Sequence, residues 1–236
     1  MIRLFYYLTH NLRMKIQELR LYTSNIEKQA AFYSQVLGLE IVKKSPKNVT
    51  FPIGNTLLHF EQKKEATPYH FAINIPANKE LEALHWLKSR LPILKDDQDE
   101  IIDFRAWNAK AIYFYDQDHN IVELIARKNL KNDTDQNFGP EHFLEISEIG
   151  VPTTDIKREF NTLRSVRDIA IYDGGFGNFC AIGDETGLFI CINREHKKWY
   201  PTNDKASPSE FELKLSQNGK TYFVEFKNEK IKTLSN

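Results

Sequence analysis

Four side chains that can bind a metal or transfer a proton lie on segments with strand-like alternation: Glu18, His59, His70 and Glu123. Because side chains alternate between the two faces of a strand, all four fall on the face opposite their apolar neighbours. Those neighbours are Leu19, Leu21, Leu58, Phe60, Phe71, Ile73, Val122 and Leu124. An ionised carboxylate is costly to bury alone, so two glutamates and one or two imidazoles converging on a cavity need a cation or protons. A divalent metal ion satisfies that chemistry.

Two similar stretches of sequence carry these residues. The first contains a predicted strand at 16–22, a helix that begins at Ser24 or Asn25 and ends at Gly38, and short strands at 39–43, 49–52 and 56–61. The second contains a strand at 69–75, a helix that begins at Asn78 and stops before Pro92, and strands at 101–107, 111–115 and 121–126. The order strand, helix, three strands therefore occurs twice, which indicates repeated modules.

A polar segment at 128–140, which contains a Gly-Pro pair, is predicted to be a linker. A third module of the same order begins after it, and two final strands at 210–215 and 222–226 form a fourth module without its helix. We therefore expect an N-terminal extension at 1–13, a paired-module domain with the candidate site at 14–127, the linker, and a degenerate copy at 141–236. Regular patterning begins at Met14, so an upstream start codon is one explanation of the extension.

Three stretches resemble one superfamily: ELRLYTSNIEKQAAFYSQVLGLEIV at 18–42, YHFAINIP at 69–76 and AIYFYDQDHNIVELIAR at 111–127. Together they are similar to the vicinal oxygen chelate group, which includes glyoxalase I, extradiol ring-cleaving dioxygenases and bleomycin-resistance proteins. The resemblance implies an α+β fold of repeated βαβββ modules that form cupped mixed sheets, here as two module pairs with the last module truncated. It covers the chain well up to Arg127, and beyond residue 143 it is mainly architectural.

The resemblance also implies metal ligands on the first and last strands of paired modules. Carried over to this sequence, these positions fall on Glu18, His70 and Glu123, with His59 as the fourth ligand and Glu61 as its competitor. The alternative is that the glutamates face solvent and the histidines are hydrogen-bonded wall residues. Glu148 lies on the first strand of the third module, but no accompanying histidine and glutamate follow it, so we expect no second site there.

The expected activity is that of a metal-dependent lyase or isomerase of glyoxalase type, acting on a small molecule with two adjacent oxygens. Glu18 or Glu123 would then transfer the proton. One alternative is a metal-free protein that binds a small compound, as bleomycin-resistance relatives do. A second is an extradiol-type dioxygenase, which the resemblance associates with two histidines and one glutamate, whereas Glu18 replaces the first histidine here. Mixed carboxylate and imidazole ligands do not separate iron, manganese, nickel and zinc.

Composition narrows the class of partner. Lys plus Arg and Asp plus Glu both total 32, so no net positive field attracts nucleic acid or an acidic membrane. No apolar run is long enough to span a membrane. Cys180 and Cys191 flank a predicted hairpin turn and are expected to be buried free thiols. We therefore expect a cytoplasmic protein, monomeric or homodimeric, that binds a small molecule.

Overall fold

A computed structural model describes residues 13–165 and 168–234. It contains two curved mixed sheets, of seven and eight strands, and three helices packed on them. The predicted α+β class with repeated βαβββ modules is confirmed, and the last module lacks its helix as expected. The predicted extension at 1–13 lies outside the described residues apart from Arg13. Within the described ranges, no helix is both long enough and apolar enough to cross a membrane.

Seven strands form what we call the first sheet, in the spatial order β15-β14-β13-β1-β4-β3-β2. The strands from the first module are β1 (Lys15–Thr23), β2 (Lys43–Ser45), β3 (Asn48–Ile53) and β4 (Thr56–Gln62). The other three, from the last module, are β13 (Phe211–Gln217), β14 (Lys220–Lys227) and β15 (Lys230–Leu234). The two sets meet where β1 pairs antiparallel with β13.

Eight strands form the second sheet, in the order β10-β11-β12-β9-β5-β8-β7-β6. The second module contributes β5 (His70–Ile75), β6 (Ile102–Phe104), β7 (Ala109–Tyr115) and β8 (Ile121–Arg127). The third contributes β9 (Glu145–Thr153), β10 (Ile171–Gly174), β11 (Phe179–Asp184) and β12 (Gly187–Asn193). Strands β5 and β9 join the two sets antiparallel. Cys180 and Cys191 lie opposite each other on β11 and β12, buried and unbridged.

This pairing corrects the expected division of the chain at 128–140. We expected the first two modules to form one cup, but each sheet takes strands from both sides of that segment. The first module pairs with the last, and the second pairs with the third. The physical reason is that the first strand of each module has a free edge, and the first strand of another module pairs with it. In this way β13 pairs with β1, and β9 pairs with β5. Each of these pairings extends one sheet across a module boundary.

The inward faces of both sheets meet the helices in one continuous apolar core. The helices are α1 (Ile26–Ala31, continued by a π-helical turn at Phe32–Val36), α2 (Glu80–Lys88) and α3 (Ile156–Arg164). The predicted strand parity is confirmed, because the apolar positions that alternate with the candidate site residues are all fully buried. These are Leu19, Leu21, Leu58, Phe60, Phe71, Ile73, Val122 and Leu124. The opposite face of the first sheet carries mostly polar side chains, whereas that of the second sheet carries a second apolar cluster that includes Ala72, Tyr113 and Ile190.

A buried carboxylate, Asp116, fixes the turn that leads into β8. It accepts hydrogen bonds from the backbone N–H groups of Asp118 and Asn120 at 2.9 and 3.0 Å. It also accepts from Gln29 Nε2 at 2.9 Å and Tyr33 Oη at 3.0 Å, both on the helix of the first module. These bonds offset the burial of the charge and tie the first module to the hairpin of the second.

Gly54, in the turn between β3 and β4, gives a test of how the two sheets are joined. Its φ is +51°, and a Cβ placed there would lie 1.9 Å from the backbone oxygen of Leu144. That oxygen accepts a hydrogen bond from Asn55 N at 2.8 Å. We expect Gly54→Ala to lower the free energy of unfolding by about 2 kcal/mol or more, because backbone strain and a backbone clash add together. Urea denaturation measures it.

Gly177→Ala is the matched control, since nothing lies within 4 Å of a Cβ at that position. A change within about 0.5 kcal/mol is expected there. Equal effects of the two substitutions would contradict the close contact between the Gly54 turn and the segment before β9.

Candidate metal centre in the second sheet

Three buried side chains on neighbouring strands of the second sheet face one another: His70 on β5, Glu123 on β8 and Glu148 on β9. One potential ligand atom from each lies within 4.8 Å of the others. The register explains the convergence, because Ala72 pairs with Glu123 on one side and with Glu148 on the other. The small Ala72 side chain leaves the two carboxylates room to approach across the central strand.

His70 is held so that one ring nitrogen faces the carboxylates. Its Nδ1 lies 3.2 Å from the backbone oxygen of Ile121, and its Nε2 lies 3.7 Å from Glu123 Oε2. A carbonyl can only accept, so Nδ1 carries the proton and Nε2 keeps a lone pair for a ligand. Burial lowers the pKa of His70 to about 4, which keeps the imidazole neutral at physiological pH.

Glu123 is the acid of the group whose ionised form is least favoured. Burial, followed by the nearby charge of Glu148, raises the pKa of Glu123 well above its usual range. The Arg127 charge and a hydrogen bond with Tyr113, its cross-strand neighbour, act in the opposite direction. Without a cation, Glu123 therefore favours its protonated form, and a bound divalent ion would take over the role of that proton.

Glu148 is clamped by a buried guanidinium. Its Oε1 contacts Nη2 of Arg127, a residue with no exposed surface. Burial raises the pKa of Glu148, and Arg127 works against that shift. Arg127 Nε donates to Asn74 Oδ1 at 3.1 Å, and Asn74 Nδ2 donates to Glu145 Oε1 at 2.8 Å. The clamp fixes one oxygen of Glu148 and orients the carboxylate toward the other two residues.

This donor set fits a divalent ion. Two carboxylates and one neutral imidazole are the ligands that iron, manganese, nickel and zinc accept. The pair of acids is balanced by a single guanidinium, so the group would carry a net negative charge, which burial makes costly, if both acids were ionised. Ile190 presents an apolar side chain from β12, opposite Gly150 on β9, so that strand adds no donor at this position.

A cavity of 540 Å³ opens above the three residues. Six aromatic side chains contribute to its walls: Phe104, Trp107, Tyr113, Phe179, Trp199 and Tyr200. Trp199 lies in the connection between β12 and β13, and its ring centroid is 5.0 Å from that of His70. Gly150 makes this contact possible, because a Cβ there would lie 2.7 Å from Trp199 Cη2. The cavity is large enough for a drug-sized small molecule.

The structure separates the predicted ligands into two pairs. His70 and Glu123 are together in the second sheet, whereas Glu18 and His59 lie in the first sheet, where they line a different cavity of 280 Å³. There Lys214 Nζ donates to Glu18 Oε1 at 2.8 Å, and His59 Nε2 lies 3.5 Å from Glu18 Oε2. The hydrogen bond from Lys214 lowers the pKa of Glu18, and burial lowers that of His59. Glu18 thus already has a cation beside it.

Glu148 is the site residue that sequence reasoning dismissed. Its first-strand position in the third module was recognised, but the expected partners were sought within the C-terminal half. The partners come instead from the second module, across the β5–β9 pairing. The strand-like run ISEIGVP at 146–152, with a glutamate in its middle, was the available signal. Trp107 and Tyr113, two aromatic residues of the second module, line the cavity.

Comparisons with solved structures show the fold. A protein assigned as a candidate dioxygenase from Bacillus subtilis subsp. subtilis str. 168 aligns with a TM-score of 0.57 and 16% identity, over 77% of this chain and 64% of that one. This chain thus spans slightly under two thirds of that protein. At this identity the likeness shows that the two chains share a fold.

Two further structures align over about half of this chain. A lactoylglutathione lyase from Agrobacterium tumefaciens has a TM-score of 0.38 and 24% identity, over 46% of this chain and 90% of its own. A fosfomycin resistance protein variant from Listeria monocytogenes is complexed with Mn(II) and 1S,2S-dihydroxypropylphosphonic acid. It has a TM-score of 0.37 and 22% identity, over 47% of this chain and 87% of its own. No protein-family model matches the sequence, and no curated protein matches it significantly.

The buried imidazole predicts a pH dependence in the metal-free protein. Because the pKa of His70 falls from 6.5 to about 4 on folding, the unfolded chain binds more protons between these values. The stabilisation is complete above about pH 6.5 and is lost as the pH falls toward 4, by roughly 3 kcal/mol in total. We expect His70→Gln to remove most of this loss, measured by urea unfolding at several pH values in the presence of a chelator.

His85→Gln is the control, because His85 is exposed on α2. It should leave the pH dependence as it is in the unmodified chain. A His70→Gln variant that loses stability between pH 6.5 and 4 as steeply as the parent would contradict a buried neutral imidazole.

Proposed function

We propose that this protein is a divalent-metal-dependent enzyme that acts on a small molecule with two adjacent oxygens, at His70, Glu123 and Glu148. The observation that carries the proposal is the convergence of one neutral imidazole and two carboxylates in the buried floor of the cavity. Two buried acids beside a single guanidinium require a further positive charge, and an ion supplies it where protons otherwise would.

A divalent ion bound by these residues would supply Lewis-acid polarisation of the two substrate oxygens. Glu123 is our choice for the proton-transfer residue. Arg127 holds the other acid, Glu148, in an ion pair, so Glu123 is the carboxylate of the two that is not held by a guanidinium and can accept and return a proton. Tyr113 and Trp199 close the space around this carboxylate and limit water at the reacting atoms.

A lyase or isomerase reaction follows from these roles, because it needs one group that removes a proton and returns it. The ring-cleaving oxygenase alternative is less well supported, since the candidate ligands comprise one histidine and two glutamates instead of two histidines and one glutamate. Glu18, which we also considered as a base, is paired with Lys214 in the other sheet. The same cavity without an ion would make the protein a small-molecule binder, and metal analysis separates the two.

Metal content is the decisive measurement. We expect protein purified without chelator to carry about one divalent ion per chain by elemental mass spectrometry. His70→Ala, Glu123→Ala and Glu148→Ala should each weaken binding by roughly 100-fold or more in calorimetric titrations with Mn²⁺ and Zn²⁺, since each removes a direct ligand. Circular dichroism verifies that the variants are folded.

Glu18→Ala and His59→Ala are the matched controls, because they are also a glutamate and a histidine that face each other across strands. Both should bind the ion as the parent does. Absence of any bound ion would leave a metal-free binding protein, and equal affinity in all variants would overturn the assignment of the ion to His70, Glu123 and Glu148. Loss of binding in the Glu18 and His59 variants alone would place the site in the first sheet.

A further inference from the structure

Arg127 places a buried positive charge beside the candidate metal centre. Its guanidinium is fully buried beside Glu148, and its Nη1 has no hydrogen-bond partner among the residues that the structure describes. Ala109, its partner on β7, is small and leaves space for the long side chain. Trp107, whose ring lines the cavity, lies over it, with 5.4 Å between the guanidinium carbon and the ring centroid. The charge is therefore close to the cavity and shielded from water.

The buried formal charges determine what a loaded site would attract. A divalent ion would neutralise Glu123 and Glu148, and Arg127 then leaves one positive charge in a region of low dielectric constant. Such a charge is costly unless an anion compensates it. Resting on the function proposed above, we infer that the site takes a chelating ligand with two adjacent oxygens and a single negative charge. A 2-hydroxy or 2-oxo carboxylate meets this description.

The cavity walls specify the rest of the ligand. Trp107 Nε1 donates to Asp173 Oδ2 at 2.7 Å, and Tyr200 Oη donates to Asp96 Oδ2 at 2.6 Å. With these polar tips already bonded, the rings offer apolar faces to the cavity. Flat, apolar groups pack best against such faces, so we assign the ligand an aromatic body.

The rim of the cavity carries charges of both signs. Arg105, Lys197 and Lys198 lie there with two acidic residues, Asp103 and Asp173. Asp103 is paired with Arg105 at 3.3 Å, Asp173 holds the Trp107 indole, and Asp96 holds the Tyr200 hydroxyl. The preference for an anion therefore rests on the buried Arg127, which an aromatic 2-hydroxy or 2-oxo acid would meet at the floor of the cavity.

Mandelate and its neutral amide, mandelamide, test the charge directly because they have the same ring and the same pair of adjacent oxygens. We load the full chain with Co²⁺ and follow the visible absorption of the ion as each compound is added. The ratio of the two dissociation constants should favour mandelate by at least about tenfold. Lactate, which lacks the ring, should bind about tenfold more weakly than mandelate.

Arg127→Met removes the buried charge and retains most of the side-chain volume. We expect the mandelate-to-mandelamide ratio to fall to about one in this variant. Arg127→Gln also removes the charge but can still donate a hydrogen bond to Glu148, so its ratio should fall in the same way. This second variant keeps the test informative if Arg127→Met does not fold. Arg20→Met, which removes a cation from the first sheet, should leave the ratio unchanged.

The Co²⁺ titrations distinguish a wrong ligand class from a wrong metal site. If the chain binds Co²⁺ but shows equal affinity for mandelate and mandelamide, the ligand class is wrong and the metal site stands. A ratio unaffected by Arg127→Met would also overturn the role of the guanidinium. If Co²⁺ does not bind to the parent chain at His70, Glu123 and Glu148, the proposed function fails first.

Discussion

Two carboxylates are buried on either side of Ala72, and the surrounding side chains of the second sheet partly offset the repulsion between their charges. Glu123 and Glu148 belong to different modules, and they meet because β5 pairs with β8 on one edge and β9 on the other. Like charges at this distance in an apolar interior are strongly unfavourable unless protons or cations intervene. Arg127 meets that requirement in part, and Asn74 holds Arg127 in place. The carboxylate charge that Arg127 does not balance determines which ions and ligands the cavity can bind.

Equivalent positions in the two sheets have different surroundings. In the first sheet, Glu18 and His59 lie in a cavity where Lys214 and neighbouring ion pairs satisfy the charges near the surface. In the second, the corresponding face is covered by aromatic side chains, and Trp199 excludes water from His70. Surface ion pairs of the first kind contribute little free energy and tolerate change. The same fold thus holds a solvated network in one sheet and a desolvated acid pair in the other.

Local patterns in the sequence predicted the elements well, and the long-range pairing poorly. Alternation fixed which residues of β1, β4, β5 and β8 face the core, and capping by Asn25 located the first helix, where its side chain accepts from Lys28 N. These features depend on near neighbours in the chain. Whether β5 would pair with β1 or with β9 depends on edges that are similar in composition, and alternation alone does not distinguish them. Glu148 was set aside for this reason, whereas His70 and Glu123, which the sequence proposed as ligands, lie together in the structure.

The nested order of the modules, with the first and last forming one sheet and the middle two forming the other, has a consequence for synthesis on the ribosome. All three candidate ligands lie between residues 70 and 148, and the strands of their sheet end at Asn193. Lys214 meets Glu18 across 196 residues of chain, so one edge of β1 is completed only after those residues have left the ribosome. Domains generally acquire structure from the N-terminus onward, and an exposed strand edge invites pairing with other chains. Among the strands that the structure describes, the first to leave the ribosome is among the last to be completed, while the sheet that holds the cavity can assemble before it.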